Sequence, residues 1–224
     1  MKKLPQASNP FYFYSRLHLK ELTGIKASNF SQLLHHIRTV PGSVIYHHTH
    51  HFLEQHERVV PSVSNDFAYW ATDVMGEGRL GEHLSAIDTI SEPSIRSLRD
   101  KIADVIDNAL KDMPSLGTKT APSGEEFYFM KTISFVFKTE YQASNLEDFV
   151  ACLEKVTPTS IYYHIFESRL RHEKATNDMS EWLLNELDEK KLAADFSRVN
   201  PYDYSLERMR KKLIEMVKIR IAEF

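Results

Sequence analysis

The sequence predicts a mainly α-helical fold with a minor β component, built by tandem duplication of a unit with one N-terminal strand followed by about five helices. Three observations predict it. Short motifs recur along one nearly constant diagonal. A stretch rich in Pro, Gly, Ser and Thr separates the recurrences. Within each copy the hydrophobic period starts at two residues and lengthens to the three-and-four spacing of helices.

The recurrence opens with Phe11-Tyr12-Phe13, which returns as Phe127-Tyr128-Phe129, a displacement of 116, the difference between 127 and 11. The same displacement carries Ala27-Ser28-Asn29 onto Ala143-Ser144-Asn145, Ile45-Tyr46 onto Ile161-Tyr162, His48 onto His164, and His56-Glu57 onto His172-Glu173. After a four-residue deletion Asn65-Asp66 meets Asn177-Asp178 and Trp70 meets Trp182, which uses both tryptophans of the chain. One further deletion aligns Ser94-Ile95 with Ser205-Leu206. The copies are expected at residues 10–111 and 126–222, with a linker over 112–125 that contains Pro114, Gly117, Pro122 and Gly124.

Each element can be justified twice. Phe127, Phe129, Ile133, Phe135 and Phe137 alternate with other residues, the period of a half-buried strand. Phe11, Phe13, Leu17 and Leu19 alternate likewise, and a helix ending at Gly24 stays open as an alternative there. The two strands are expected to pair with each other, because a lone strand is not stable. Ser28 or Asn29 caps a helix with Phe30, Leu33, Leu34 and Ile37 on one face, ended by Pro41-Gly42. A helix from about Ser43 to Glu57 carries the histidines. Asn65-Asp66 caps the next, through Trp70 to Met75, and a short helix near Leu80–Ile87 and a long one from about Pro93 to Leu110 follow. In the second copy Asn145–Val156 and Leu206–Ile221 take corresponding roles.

Composition narrows the function classes. With 42% hydrophobic and 26% charged residues the chain is an ordinary globular sequence. Its formal net charge of -3 gives no basic excess for a phosphate backbone, so nucleic acid is not an expected partner. No apolar run approaches the roughly 20 residues of a membrane span. The N-terminal segment has no apolar core of a signal peptide, and the one cysteine, Cys152, rules out an internal disulfide and a thiolate metal cage. A cytoplasmic protein is expected. No glycine-rich phosphate loop and no Gly-x-Ser-x-Gly elbow is present.

Histidine stands out, with 11 in the chain. His18, His35, His36, His47, His48, His50, His51, His56 and His83 lie in the first copy, and His164 and His172 in the second. On a regular α-helical wheel His47, His50, His51 and Glu54 form one stripe. The matching stripe of the second copy is Tyr163, Phe166, Glu167 and Leu170, a face expected to be packed. Three imidazoles and a carboxylate on a core-like face suit a divalent metal such as zinc, manganese or iron, with hydrolytic or redox chemistry as the implied use. His36, His18, Glu21 and Asp66 are candidates to complete that set from other elements. Two other functions stay open. One is a non-catalytic adaptor or oligomeric scaffold whose histidine cluster is structural, with a homo-oligomer or a protein partner implied. The other is a module for a phosphorylated ligand, held by His18, Arg16, Lys20 and Arg38. His48 and His164 recur in both copies together with Asn65-Asp66 and Asn177-Asp178, so a bond from imidazole to the cap of the next helix is expected for them.

The set Phe11-Tyr12-Phe13-Tyr14, Tyr46 through His56, Asn65 through Trp70, Tyr162-Tyr163-His164 and Asn177-Asp178 resembles a prokaryotic family catalogued as a domain of unknown function. The resemblance spans nearly the whole chain and implies no activity, cofactor or site residue.

Overall fold

Both period-two runs are strands. In the computed structural model, which describes residues 4–51, 64–89, 92–169, 176–200 and 205–224, β1 (Phe11–Ala27) and β2 (Phe127–Ala143) are each 17 residues long and pair as a two-stranded sheet. Thr23 donates its hydroxyl to the Phe129 carbonyl at 2.6 Å, and its repeat equivalent Thr139 donates to the Phe13 carbonyl at 2.7 Å. Numbers fall along β2 as they rise along β1, so the strands run antiparallel. The helical alternative for the first run gives way to the β preference of its aromatics, with Phe11 and Phe13 buried while Tyr12 stays exposed.

Five helices follow each strand among the described residues. In the first copy these are α1 (Phe30–Thr39), α2 (Gly42–Tyr46), α3 (Asp66–Tyr69), α4 (Gly78–Ser85) and α5 (Ile95–Asp112). In the second they are α6 (Leu146–Leu153), α7 (Pro158–Tyr162), α8 (Asp178–Asn185), α9 (Lys190–Ser197) and α10 (Leu206–Ala222). The duplicated unit of one strand and five helices is therefore present twice. Matching caps set the helix starts. Asn29 and Asn145 accept from Gln32 and Asp148 backbone N–H groups, and Asn65 and Asn177 from those of Ala68 and Ser180, each bond 2.9 Å. Such caps contribute typically about 1 kcal/mol each. α1 ends where Val40, before Pro41, is extended, because the proline ring disfavours the helical conformation of its predecessor.

The helix expected from Ser43 to Glu57 takes a different form. α2 stops at Tyr46 and continues as a π-helical turn over His47–His51. The second copy repeats this, with α7 running into a π-helical turn over Tyr163–Glu167. A third π-helical turn, Trp70–Val74, extends α3.

The chain forms two compact units, His18–Ile133, and Met1–Leu17 with Ser134–Phe224. Each strand contributes to both. In His18–Ile133, Phe127 and Phe129 of β2 join Phe30, Leu33, Ile37, Phe67 and Trp70 in one core. In the other unit Phe11 and Phe13 of β1 each lie 5.6 Å from the Phe149 ring, and Phe11 lies 5.6 Å from Trp182. The tryptophans occupy matching places. Trp70 donates its indole N–H to the Glu125 carbonyl and Trp182 to the Asn9 carbonyl, both at 2.9 Å, and both rings are buried. Among the described residues no helix is long and apolar enough to cross a membrane.

This arrangement predicts a crossed response to mutation. Phe13→Ala and Phe129→Ala should each cost about 3–5 kcal/mol, as truncations of buried phenylalanines do. Phe13→Ala should raise amide exchange in α6 and α8, far along the sequence from residue 13, and Phe129→Ala in α1 and α3. Faster exchange in α1 and α3 on changing Phe13 would contradict the packing described.

Candidate functional site

The π-helical turns hold the residues that set the two copies' chemistry. A turn closed by i→i+5 bonds carries more residues than the 3.6 of an α-helix, so side chains at i and i+3, such as His47 and His50, no longer share one face. One residue of each turn behaves identically in the two copies. His48 is buried, accepts the Met130 backbone N–H at Nε2 (3.0 Å), and holds the Asp66 carboxylate at Nδ1 (2.7 Å). His164 is buried, accepts the Tyr14 N–H at Nε2 (2.8 Å), and holds the Asp178 carboxylate at Nδ1 (2.9 Å). Because Nε2 accepts from an amide, the neutral ring carries its proton on Nδ1 and donates it to the carboxylate. Asp66 and Asp178 are the first residues of α3 and α8, so the expected link to the next helix is present. The second bond, to a strand amide, joins residues 82 and 150 positions apart and has no local signal.

The other members of the two turns differ. In the first copy the buried His47 shares a 2.8 Å hydrogen bond from Nδ1 with the Thr132 hydroxyl of β2. His50, fully buried, shares one of 2.7 Å with Thr49, whose hydroxyl donates to the Ile45 carbonyl, and stacks on the Tyr46 ring at 5.4 Å. His18 lies 5.9 Å from the same Tyr46 ring. In the second copy Tyr163, Phe166 and Glu167 are buried as the repeat implied, and Leu170 lies outside the described residues. Glu167 forms a buried ion pair with Arg16 of β1, whose guanidinium also lies 5.0 Å from the Tyr162 ring. Displaced by 116, Arg16 corresponds to Thr132 and Glu167 to His51. The ion pair of one unit thus has threonine and histidine at the equivalent positions of the other.

The expected metal centre is a correction. Among the described residues no group of three or more His, Cys, Asp or Glu side chains is placed to hold a metal ion. His47 and His50 turn to different partners, as the widened turn requires. The side chain of His51, and all of Glu54, lie outside the described residues. The proposed completing residues are engaged elsewhere: Asp66 with His48, Glu21 with Lys131 at 3.1 Å, and His36 with the Phe129 ring at 5.4 Å. Burial and the neighbouring His35 hold the His36 imidazole below its usual range. Nor are the anion candidates gathered. Arg16 is committed to Glu167, Arg38 lies 3.4 Å from Asp107, and Lys20 is exposed. The buried Cys152 thiol points to the Gln142 carbonyl at 3.3 Å, and burial pushes its pKa up, as expected of a poor nucleophile.

Fold and site together define a duplicated strand-and-helix protein whose shared histidines tie strand to helices. The chain belongs to a family of unknown function (DUF5752), whose model matches residues 8–218. No curated protein matches it. Among solved structures it is similar to OrfY from Thermoproteus tenax, with a TM-score of 0.81 and 26% identity over 96% of this chain and 98% of that one.

If the shared imidazoles are ties within the fold, His48→Ala and His164→Ala should each destabilise the protein. Losing a buried partner costs about 1–3 kcal/mol per unsatisfied group. Chemical denaturation checks this, and a loss confined to one of the two variants would contradict the equivalence of the copies.

Proposed function

We propose that the chain is a non-catalytic adaptor or scaffold whose histidines serve its structure and whose partners are proteins. The observation that carries this is the engagement of the buried histidines with the chain's own groups. Both nitrogens of His48 and His164 bond to strand and helix, and His47 and His50 bond to Thr132 and Thr49. Buried imidazoles bonded to the chain's own hydroxyls, strand amides and helix-capping carboxylates serve the packing of the fold.

The duplicated copies on this view are residues 10–111 and 126–222, joined by 112–125. Duplication supplies a framework with two similar halves, a usual basis for a protein that works by presenting surface. A net charge of -3 favours protein over nucleic-acid partners. The single cysteine suits the reducing cytoplasm.

His47→Ala separates a structural histidine from a functional one. As a packing residue it should lower stability by about 1–3 kcal/mol, and its effect should be coupled to that of Thr132→Val in a double-mutant cycle. A residue kept for chemistry in a core-like place works against packing. Unchanged or raised stability in His47→Ala would therefore overturn the proposal.

A further inference from the structure

Both strands of a two-stranded sheet have an outer edge, and the two edges of this sheet are protected differently. Near residue 14 of β1 and residue 130 of β2 an imidazole takes the edge amide. Farther along β2, Phe135, Val136 and Phe137 are 52%, 47% and 52% exposed. Successive strand residues point to opposite faces, so both faces of the strand are uncovered there. The repeat equivalents of these three residues in β1 are Leu19, Lys20 and Glu21. Charged residues are the common guard of an edge strand. At these positions β1 has two of them, Lys20 and Glu21, and a kink three residues later at Gly24, where φ is +77°. At the same positions β2 has neither: between Lys131 and Lys138 the run Ile133-Ser134-Phe135-Val136-Phe137 holds no charge, no proline and no glycine, the composition that pairs most readily with another strand.

We infer that this edge of β2 pairs, antiparallel and centred on Val136, with the same segment of a second copy of the chain. The inference deepens the scaffold proposal, on which it rests, by naming the partner. The backbone parity fits. The Met130 N–H points outward to His48, and alternation along the strand turns the backbone groups of Val136 and Lys138 outward too. A strand centred on Val136 then exchanges hydrogen bonds with its twin at that residue. Phe135 comes opposite Phe137 in the closer, non-hydrogen-bonded type of pair, where aromatic side chains stabilise a sheet. Lys138 comes opposite the uncharged Ser134, and no like charges face each other from Ser134 to Lys138. The Lys138 ammonium also sits 3.4 Å over the Tyr12 ring of its own unit. Self-complementarity of this kind is what a twofold interface demands, and it turns two strands into four, enough for a sheet to be stable.

The test is the mass of the untagged full chain in solution, by sedimentation equilibrium. The parent should show twice the 26.0 kDa of one chain. Val136→Lys with Phe137→Glu, which gives β2 the residues of β1, should show one chain mass with an unchanged circular dichroism spectrum. Should that pair fail to fold, Val136→Lys alone is measured with the same expectation. Leu19→Glu, on the other strand, should leave the dimer intact. A parent of single-chain mass, a folded Val136 variant that remains a dimer, or a Leu19→Glu variant that dissociates would each overturn the inference. Discovery of an enzymatic activity would sink the scaffold proposal and leave these masses as they are, so the two failures are distinct.

Discussion

In each unit one backbone amide on the outer edge of a strand meets an imidazole, and the rest of the unit is arranged around that contact. An edge N–H carried under packed helices has no ladder partner, and leaving it bare would cost roughly 1–3 kcal/mol. Imidazole suits the position because its two nitrogens face opposite ways, one to accept from the strand and one to give to a carboxylate. The carboxylate is the first residue of the next helix, Asp66 or Asp178, where a negative charge also complements the helix dipole. One side chain thus fixes the distance between strand, π-helical turn and following helix. The aromatic residues beside it complete the tie: Phe127 lies 4.7 Å from His48, and Phe11 lies 4.8 Å from His164.

Around this shared frame the copies have diverged in how they fill the same space. The unit of Met1–Leu17 with Ser134–Phe224 buries Arg16 against Glu167, a pair that is costly to desolvate and costly to break. The unit His18–Ile133 has Thr132 and His51 at those positions and bonds Thr132 to His47. Part of the histidine enrichment of the first copy belongs to this exchange, in which His47 and His50, bonded to hydroxyls, stand where the other copy has Tyr163 and Phe166. Enrichment in a ligand-type residue is therefore not by itself a metal site; ligands must converge, and the widened turn sends His47 and His50 to separate partners.

The repeat made much of the fold legible. Paired motifs pointed to both strands, with a helix left open for the first, to their pairing, to a cap at Ser28 or Asn29 and another at Asn65-Asp66 with its repeat Asn177-Asp178, and to matching tryptophans, because caps and alternation are local rules. Two features were not legible. The π-helical turns leave no mark in a 3.6-residue wheel, and the stripe of His47, His50, His51 and Glu54 depends on that wheel. The partition of each strand between two units depends on contacts more than 100 residues apart, such as those of Phe11 and Phe13 with Phe149. Arg16 was misread for the same reason. It was a candidate for a phosphorylated ligand, yet both Ser15 and Arg16 are buried, because this stretch is covered on both faces. Recurrence was the better guide: His48 and His164, singled out only because both copies have them, are the residues that hold the structure together.

The central claim is that these two imidazoles accept a strand amide at Nε2 and donate from Nδ1, and nitrogen NMR of the histidine rings tests it directly. In protein labelled with nitrogen-15, long-range proton–nitrogen correlation at neutral pH should show His48 and His164 locked in the form protonated at Nδ1, with Nε2 bare. Rings protonated at Nε2, or averaging between the two forms as solvent-exposed imidazoles do, would contradict the account.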